Sequence, residues 1–409
     1  MKYVVVLGDG MADYPIAELE GRTPLQVAEK PRIDELARLG QLGLVKTVPE
    51  GFAPGSDTAN LAIMGYDPRL YYTGRSPLEA ASMGVELQKG DLAFRCNLVT
   101  LSADEPYENK IMLDHSADEI SSAEAQELLA AVKNILPSRD LRLYPGVGYR
   151  HLLVWRGAPT SWELTPPHDI LDQCISNFLP RGPQGPAALA LMKKSVTILQ
   201  DHPVNKARIS RGLRPANSIW LWGEGAKPQM PAFSEKYCLH GAVISAVDLI
   251  KGLGVCAGLE VLEVAGATGN LNTNFRGKAE AALSALERGL DFVYLHLEAP
   301  DECGHRQERD NKIKSIELID QQVMEPLING LNALGQPYRL LFLPDHATPL
   351  ELRTHTADPV PFLLFDSTNP FNSGQLSYHE ESAKETGLFI EEGYSLMDYF
   401  LNKTAGGKL

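Results

Sequence analysis

Residues 1–10, MKYVVVLGDG, contain a continuous apolar run, Tyr3–Leu7, that ends in Gly8-Asp9-Gly10. A β-branched run that breaks into glycine is typical of a central strand of a parallel sheet, because such a strand is buried on both faces. The same pattern recurs at three later places, Asp291–Leu297 (DFVYLHL), Arg339–Leu343 (RLLFL) and Val360–Phe365 (VPFLLF). We therefore expect these runs to lie in one sheet.

Helix-like segments alternate with the apolar runs. They are Ser245–Gly252, Gly277–Glu287 and Lys312–Val323. Strands alternating with helices predict βαβ units, and hence an α/β fold with a mostly parallel sheet sandwiched by helices. The tail Gly393–Leu401 has helical apolar spacing, and we expect it to cap the core.

The middle of the chain has a different character. From about residue 84 to 215 it is richer in proline and in short β-like runs such as Leu92–Thr100 and His151–Trp155. Its one clear helical stretch is Ser122–Ile135, opened by a serine cap, and Pro180–Pro186 is predicted to be a loop. We interpret residues 84–215 as an inserted α+β domain and residues 1–83 with 216–409 as the core domain. The segment 219–223 (IWLWG) is expected to return to the core sheet.

The length and the net charge of the chain limit the functions that it can have. The chain has 409 residues, and 38 basic against 52 acidic side chains leave a net charge of −14. Such a surface repels a phosphate backbone, which argues against general nucleic-acid binding. No apolar stretch approaches the ~18–20 residues that span a bilayer, and the apolar start is too short for a secretion signal. Five scattered cysteines without a Cys-x-x-Cys pair indicate reduced thiols and a cytoplasmic protein. No pattern predicts an oligomeric state.

Acidic and imidazole side chains follow the predicted strands. They are Asp9, Asp301, Asp345, His346 and His355, and His305 lies four residues after Asp301. Ligands bind at the carboxyl ends of strands in an open α/β sheet, and carboxylate with imidazole suits Mn²⁺ or Zn²⁺. The inventory exceeds one four-coordinate ion and predicts a two-metal site of the kind that serves phosphoryl transfer. For each residue alone, a turn or helix-cap role is the alternative.

Gly55-Ser56-Asp57-Thr58-Ala59-Asn60 precedes a helical-looking segment. A serine at a helix start faces backbone N–H groups that favour an anionic phosphoryl group. Its hydroxyl is a poor nucleophile unless its pKa is lowered, as coordination to a metal would do. The alternative is that Ser56 or Asp57 only caps the helix.

Basic side chains in the inserted segment are candidates for binding a carboxylate or a phosphate. They are Arg95, His115, Arg142, Arg150 and His151. Solvated surface charge is the alternative, which we favour for Arg142, whereas Arg95 and Arg150 flank apolar strands and are expected to face inward. Lys278 is a further phosphate-binding candidate, with an exposed helix lysine as its alternative. Four other histidines, His202, His240, His296 and His379, are assigned structural roles.

Several long strings occur in order along nearly the whole chain. They are VVVLGDGMAD, PGSDTANLAIMGYDP, YTGRSPLEAASMGVEL, FRCNLVT, GYRHLLVW, PPHDI, HGAVISAVDLIKGLG, EAPDECGH, PDHATP and THTADPVPFLLF. On these strings the chain resembles the archaeal-type, cofactor-independent (2,3-bisphosphoglycerate-independent) phosphoglycerate mutases of the alkaline phosphatase superfamily. The resemblance implies an alkaline-phosphatase-like core with an inserted substrate-orienting lid.

The resemblance also implies residue roles. Asp301, His305 and His355 would bind one divalent ion. Asp9, Ser56, Asp345 and His346 would bind the second, with Ser56 also the nucleophile that forms a phosphoserine. Arg95, Arg150 and His151 would contact the substrate. Mn²⁺ fits this ligand set best, with Zn²⁺, Co²⁺ and Mg²⁺ as alternatives; 2,3-bisphosphoglycerate is not required.

The implied reaction interconverts 3-phosphoglycerate and 2-phosphoglycerate, so the partner is a small phosphorylated carboxylic acid. The chain departs from the family pattern at Asp118-Glu119, where an arginine is expected, at Asn272-Thr273-Asn274 and at residues 307–310. The alternative function is therefore a metal-dependent phosphatase, or a mutase for another phosphometabolite. A metal-binding protein without catalysis is disfavoured because Ser56 and all the metal-ligand candidates are present. No GxxxxGK[ST] loop supports a nucleotide.

Overall fold

The N-terminal apolar run forms the strand around which the larger sheet is built. It is β1 (Lys2–Gly8) in the computed structural model, which describes residues 1–136, 139–158, 161–372, 374 and 377–402. Its residues Val4–Leu7 are fully buried. A parallel partner lies on each side, with Val5 level with Tyr294 in one neighbour and with Leu341 in the other. The prediction of a central parallel strand is confirmed.

The described part of the chain forms thirteen strands. The other twelve are β2 (Gln41–Val45), β3 (Leu92–Leu101), β4 (Met112–Asp114), β5 (Leu141–Tyr144), β6 (Arg150–Trp155), β7 (Ser218–Ala226), β8 (Gly241–Ile244), β9 (Glu260–Val261), β10 (Phe292–Leu297), β11 (Tyr338–Leu343), β12 (Val360–Asp366) and β13 (Phe389–Ile390).

The α-helices of the described residues are α1 (Pro24–Val27), α2 (Pro31–Leu39), α3 (Ser56–Ile63), α4 (Pro68–Tyr71), α5 (Ser76–Ser82), α6 (Ser122–Lys133), α7 (Gly185–Leu199), α8 (Pro203–Ser210), α9 (Phe233–Tyr237), α10 (Asp248–Cys256), α11 (Phe275–Glu287), α12 (Ala299–His305), α13 (Arg309–Ile319), α14 (Glu325–Ala333), α15 (Glu380–Glu385) and α16 (Leu396–Phe400). One π-helical turn, Asp320–Met324, joins α13 to α14. In the segments that the structure covers, every helix is too short or too polar to cross a bilayer.

The larger sheet has eight strands in the order β13-β2-β12-β11-β1-β10-β8-β9. Among these described strands, β12 runs antiparallel to both of its neighbours, and the other pairs are parallel. Parallel strands need a crossover, usually a helix, and residues 344–359 contain none, so the chain returns antiparallel. Helices flank the sheet, and the predicted α/β fold with a mostly parallel sheet is confirmed.

The chain divides into two compact units. One comprises Met1–Tyr72 with Gln229–Leu409, and the other comprises Thr73–Pro228. The second unit is wider at both ends than the predicted segment 84–215. The expectation that residues 219–223 return to the core sheet is wrong, because β7 pairs antiparallel with β3 inside the second unit. An apolar run can pair with either sheet, and its sequence does not say which.

The second unit is built on its own sheet. Its strand β3 pairs antiparallel with β7, β6 and β4, and β5 pairs with β6. The predicted helix of this unit is confirmed as α6, whose cap is Ser121, accepting a hydrogen bond from the Glu124 backbone N–H. The prediction of a loop over Pro180–Pro186 missed the beginning of a second long helix at Gly185. Pro186 is compatible with that helix because proline is tolerated in a first turn.

A buried ion pair joins two loops of the first unit. Lys312 on α13 is fully buried, and its Nζ lies 2.7 Å from Asp13 Oδ2 in the loop after β1. The same Nζ donates to the Thr348 carbonyl at 2.8 Å, in the loop after β11. The Leu350 backbone N–H also donates to the Asp13 carboxylate at 3.2 Å. One ammonium group therefore holds the loops that follow two central strands.

Replacement of Lys312 by methionine is expected to lower stability strongly. A similar apolar stem remains, but Asp13 is left as a buried charge without its cation, which costs about 3–5 kcal/mol in comparable cases. Lys314→Met is the matched control, because Lys314 is half-exposed on the same helix and pairs with Glu317. We expect the control to change stability by less than about 1 kcal/mol. Denaturant unfolding of both variants measures the difference, and equal midpoints would contradict the role given to Lys312.

Asp320 is expected to make the stability of the protein depend on pH. Its Oδ1 accepts the Ile33 N–H at 2.7 Å and its Oδ2 accepts the Arg32 N–H at 3.3 Å, in the first turn of α2. Burial raises the pKa of Asp320 to about 6 from an ordinary value of 3.8. The folded protein thus binds the proton more tightly than the unfolded chain, so this stabilisation is present below about pH 4 and is lost as the pH rises through about 6.

Asp320→Asn is expected to remove this dependence. The amide oxygen keeps one acceptor and never ionises, so the melting temperature of the variant relative to the native protein should increase between pH 4 and pH 7. Thermal unfolding across this range measures the difference. Parallel pH profiles for the two proteins would show that Asp320 does not titrate in this way.

Candidate functional site

Ser56 begins the helix α3. The N-cap is Gly55, and it provides no side-chain hydrogen bond to the first turn. The alternative in which Ser56 or Asp57 caps this helix is therefore not what the structure shows. Asp57 instead accepts hydrogen bonds from the Thr58 N–H at 2.9 Å and from Tyr72 Oη at 2.6 Å. The Ser56 hydroxyl is left to face other residues of the first unit.

The predicted metal-ligand residues come from the carboxyl ends of neighbouring strands. Asp9 follows β1, and Asp345 with His346 follows β11. The helix α12, directly after β10, carries Asp301 and His305, and His355 lies in the loop before β12. Because these parallel strands are adjacent, their carboxyl ends meet at one edge of the sheet. Residues separated by up to about 350 positions are thus brought together by the strand order.

The serine lies beside the first group of these residues. The distance from Ser56 Oγ to His346 Nε2 is 3.2 Å. The same nitrogen lies 3.5 Å from Asp9 Oδ1 and 3.5 Å from Asp345 Oδ2. One donor atom from each of Asp9, Asp345 and His346 falls within 4.8 Å of the others. This is the spacing expected of side chains that can share a metal ion.

A second group adjoins the first. The carboxylate of Asp301 lies 3.3 Å from His305 Nε2 and 3.5 Å from His355 Nε2, and those two nitrogens are 2.9 Å apart. Ligand atoms of Asp301, His346 and His355 also fall within 4.8 Å of one another. The rings of His346 and His355 have centroids 4.1 Å apart, so His346 lies between the two groups.

The carboxylates of the site have different electrostatic surroundings. Burial, followed by the charges of Asp345 and Asp301, raises the pKa of Asp9 well above its usual range. Burial also acts to raise the pKa of Asp301, but hydrogen bonds from His305 and His355 outweigh it and hold that pKa well below its usual range. In return, Asp301 raises the pKa of His305 to about 9. Of the carboxylates in these two groups, Asp9 is thus the one whose negative charge is stabilised least by neighbouring side chains.

Two buried polar atoms of the site lack hydrogen-bond partners among the described residues. They are Asp9 Oδ1 and His296 Nε2. A buried carboxylate oxygen without a donor is costly, and a coordinated cation removes that cost. Burial lowers the pKa of His346, which keeps its imidazole neutral and able to bind a metal. The residues present therefore fit a divalent cation.

The structure places His296 and Lys278 in surroundings that the sequence did not indicate. His296, at the end of β10, was given a structural role without site neighbours, yet its Nε2 lies 3.1 Å from Asp9 Oδ2. Burial lowers its pKa to about 4. Lys278 is neither an exposed helix lysine nor open to solvent, because it is fully buried and its Nζ donates to the His296 carbonyl at 3.1 Å. The useful signal was that His296 ends a strand, as the other site residues do.

Two of the remaining histidines have the structural roles predicted for them. His202 Nδ1 caps α8 by accepting the Val204 N–H, and His379 Nδ1 caps α15 by accepting the Ser382 N–H. His240 is exposed, and its backbone N–H donates to Asp291.

The basic candidates of the second unit differ in their placement. Arg95 is buried as expected, 3.0 Å from Glu79 and above the ring of Trp222. The expectation that Arg150 faces inward is wrong: it is the first residue of β6, where the strand leaves a loop, and it is exposed. Arg142 is exposed, which confirms the solvated alternative.

Three histidines of this unit pack against aromatic rings or are buried in the fold. His115 is half-buried against Tyr149, and its ring is 6.0 Å from that of His168, a residue of the PPHDI string that the sequence analysis gave no role. His168 in turn packs on Trp222. His151 is buried, which lowers its pKa to about 3, and its Nε2 has no hydrogen-bond partner among the described residues.

The acidic pair Asp118-Glu119 stands where the family pattern has an arginine. A basic residue from another part of the unit lies beside it. Arg214 lies 3.0 Å from Asp114 and 3.8 Å from Asp118. Its backbone N–H donates to Asp118 at 2.6 Å. The acid at position 118 therefore binds an arginine that comes from the segment before β7, and that arginine is half-exposed.

Carboxylates and imidazoles gathered beside a serine hydroxyl at the edge of a mostly parallel α/β sheet are an arrangement suited to the class of enzymes that transfer phosphoryl groups with divalent ions. The family model for 2,3-bisphosphoglycerate-independent phosphoglycerate mutase matches residues 37–205. A probable 2,3-bisphosphoglycerate-independent phosphoglycerate mutase of Geobacter sulfurreducens is 52% identical over 98% of this chain and 100% of its own. A 2,3-bisphosphoglycerate-independent phosphoglycerate mutase of Methanothrix thermoacetophila is also 52% identical, over 97% of this chain and 98% of its own. The chain belongs to the family of 2,3-bisphosphoglycerate-independent phosphoglycerate mutases.

Solved structures agree with this assignment. The cofactor-independent phosphoglycerate mutase from Thermoplasma acidophilum is 28% identical, with a TM-score of 0.65 over 98% of this chain and 99% of that one. The PH0037 protein from Pyrococcus horikoshii is 29% identical, with a TM-score of 0.82 over 100% and 99% of the two chains. The predicted family is confirmed.

Asp9→Asn is expected to have opposite effects with and without metal. Without metal, removing the least compensated buried charge should raise the melting temperature. With Mn²⁺ added, the native protein should gain stability by mass action, about 2.7 kcal/mol at a hundredfold excess over Kd, and the variant should gain far less. Asp310→Asn, an exposed position on α13, is the control. Thermal unfolding with chelator and with Mn²⁺ measures both effects, and equal Mn²⁺ shifts in all three proteins would contradict the site.

Proposed function

We propose that this chain interconverts 3-phosphoglycerate and 2-phosphoglycerate through a phosphoserine at Ser56. The observation that supports this most directly is the Ser56 hydroxyl, 3.2 Å from His346 Nε2 and beside two clusters of carboxylates and imidazoles. Membership of the mutase family supplies the substrate class. The substrate is then a small phosphorylated carboxylic acid, and the class of enzyme is an isomerase.

The residues of the first unit have defined parts in this proposal. Asp9, Asp345 and His346, with Ser56, would hold one divalent ion, and Asp301, His305 and His355 would hold the other. Such ions, with Mn²⁺ the best fit and Zn²⁺, Co²⁺ or Mg²⁺ as alternatives, lower the pKa of a bound hydroxyl and neutralise phosphoryl oxygens. His296 supports the set by facing Asp9 from β10.

The phosphoryl group moves in two steps, first to Ser56 and then back to the substrate. Ser56 Oγ forms a bond to phosphorus as the bond from phosphorus to the C3 oxygen breaks. The proton lost by Ser56 Oγ is balanced by the proton gained by the C3 oxygen, which leaves glycerate. Transfer from Ser56 to the C2 oxygen reverses these steps and yields 2-phosphoglycerate. The chain must keep glycerate bound and exclude water between the two halves, since water would hydrolyse the phosphoserine.

The second unit is the proposed source of substrate contacts and of the lid. Arg95, His115 and His151 are the basic or imidazole groups that its fold holds in place, and exposed Arg150 is a fourth candidate. The Arg95 guanidinium is fixed by Glu79 and Trp222, and its Nε has no hydrogen-bond partner among the described residues, so it can still donate to a carboxylate or phosphate. Lys278 no longer fits a direct substrate contact, because its buried Nζ is used by the His296 carbonyl. A cytoplasmic location, predicted from the cysteines, completes the proposal.

Ser56→Ala is expected to abolish turnover and leave the fold intact. The assay supplies 3-phosphoglycerate and Mn²⁺ and follows 2-phosphoglycerate and inorganic phosphate separately. Ser284→Ala, at an exposed position on α11, should retain native activity. We expect a loss of more than about 10⁴-fold for Ser56→Ala, since loss of a nucleophile removes the covalent route.

Two results of this assay would contradict the proposal. Retained activity in Ser56→Ala would exclude this serine as the nucleophile. Abundant phosphate without 2-phosphoglycerate from the native protein would favour the phosphatase alternative, to which the acidic departure at Asp118-Glu119 points.

A further inference from the structure

Asn60 links the serine to the sheet edge. It lies one helical turn after Ser56 on α3 and is fully buried. Its Nδ2 donates to the Ser56 carbonyl at 2.8 Å and to Asp345 Oδ2 at 2.8 Å. Both hydrogens of the amide are therefore used, one on the backbone of the proposed nucleophile and one on a proposed metal ligand.

Tyr294 holds the other end of this amide. It is a fully buried residue of β10, and its Oη donates to Asn60 Oδ1 at 2.6 Å. Burial raises the pKa of Tyr294 well above its usual range, so the phenol stays protonated and remains a donor. A tyrosine hydroxyl in the centre of a parallel sheet thus has a single partner among the hydrogen bonds of the described residues.

The orientation of the amide follows from its three partners. The Ser56 carbonyl and the Asp345 carboxylate only accept hydrogen bonds, so the NH₂ group must face them. Oδ1 then faces Tyr294, whose hydroxyl donates. A rotated amide would place two acceptors against each other at both Ser56 and Asp345. The two acceptors therefore select this orientation, and the Tyr294 hydroxyl, which can donate or accept, completes it by donating to Oδ1.

We propose that Asn60, anchored by the hydrogen bond from Tyr294, is a positioning residue that holds the Ser56 backbone and Asp345 Oδ2 at a set separation. The inference rests on the proposed function, because it concerns the residues that would bind metal and accept the phosphoryl group. Neither Asn60 nor Tyr294 is given a role by the candidate ligand set. Their polar groups serve to orient groups that would react.

The physical reason is the precision that a metal-activated nucleophile needs. Groups behind metal ligands orient the ligands, and their loss typically lowers metal affinity or activity 10–100-fold. Displacement of a reacting group by about 1 Å is enough to reduce rates about 100-fold. Asp345 has further partners in the Gly10 and His346 backbone N–H groups, both on Oδ1. Among the hydrogen bonds of the described residues, the one from Asn60 restrains Oδ2.

Tyr294→Phe tests the inference with little change of shape. It removes one hydroxyl and leaves Asn60 Oδ1 without its donor. Tyr378→Phe is the matched control, because Tyr378 is also fully buried and its Oη donates at 2.7 Å to the Pro361 carbonyl, outside the site. Both variants lose one buried hydrogen bond, and we expect similar decreases in melting temperature. Only Tyr294→Phe is expected to lower kcat about tenfold with KM unchanged, and to weaken Mn²⁺ binding.

Asn60→Ala should lower kcat and Mn²⁺ affinity by 10–100-fold. If Tyr294 acts through Asn60, the double variant should be no worse than Asn60→Ala alone, which is a non-additive result. Mn²⁺ binding is measured by titration of the full-length protein with the metal alone, and kcat and KM are measured with 3-phosphoglycerate. Titration provides a readout that does not depend on turnover.

The outcomes separate the inference from the proposed function. If the native protein is active and binds Mn²⁺, but Tyr294→Phe and Asn60→Ala match it in both, the positioning role is overturned. It is also overturned if Tyr378→Phe loses as much activity as Tyr294→Phe, or if the two site variants have additive effects. Failure of the native protein to form 2-phosphoglycerate with any of Mn²⁺, Zn²⁺, Co²⁺ and Mg²⁺, or to bind any of them, would overturn the proposed function, and this inference with it.

Discussion

The structure depends on holding several buried carboxylates close together at one edge of the larger sheet. Asp9 and Asp345 are almost fully shielded from water, and His346 Nε2 lies 3.5 Å from each. Like charges so close in a low dielectric repel strongly unless a cation compensates them. The surrounding imidazoles compensate Asp301, whose pKa is held low, but leave Asp9 with a raised pKa. The fold thus gathers acidic groups whose ionised forms the neighbouring side chains stabilise only in part, and a divalent cation is the partner that fits them.

Other parts of the first unit hold these carboxylates in place. The strands β11, β1 and β10 are adjacent in the sheet. Asp345 follows the first, Asp9 follows the second, and the helix with Asp301 follows the third, so the three carboxylates lie close together. Lys312 ties together the loops after β1 and β11 through a single buried ammonium group. Asn60 joins the helix that carries Ser56 to Asp345, and Tyr294 anchors the amide oxygen of Asn60 from within the sheet. Buried polar groups with satisfied hydrogen bonds fix geometry in a way that apolar packing alone does not.

The residues that were misassigned share a physical cause. Lys278 has the composition of a surface helix residue, yet it is fully buried because its carbon stem packs in the core and its Nζ finds the His296 carbonyl. Arg150 precedes an apolar strand, but as the first residue of that strand it remains exposed. The run 219–223 has the hydrophobicity of a core strand of either sheet, and pairing with β3 decided between them. In each case the sequence shows the residue and its neighbours in the chain. Whether the residue is exposed depends on which distant parts of the chain pack against it.

From the sequence alone, the fold class and the identity of the residues that gather at the sheet edge could be predicted. Both follow from local patterns: apolar runs that end in glycine or proline, with aspartate or histidine at the strand ends, and long strings that resemble one family. Only the tertiary structure decided which of these residues meet, that His296 joins them, and that Asn60 and Tyr294 connect Ser56 to Asp345. Those contacts span 290 positions between Ser56 and His346, and 337 positions (346 − 9) between Asp9 and His346. Their distances are set by strand order and side-chain packing, which no local pattern records.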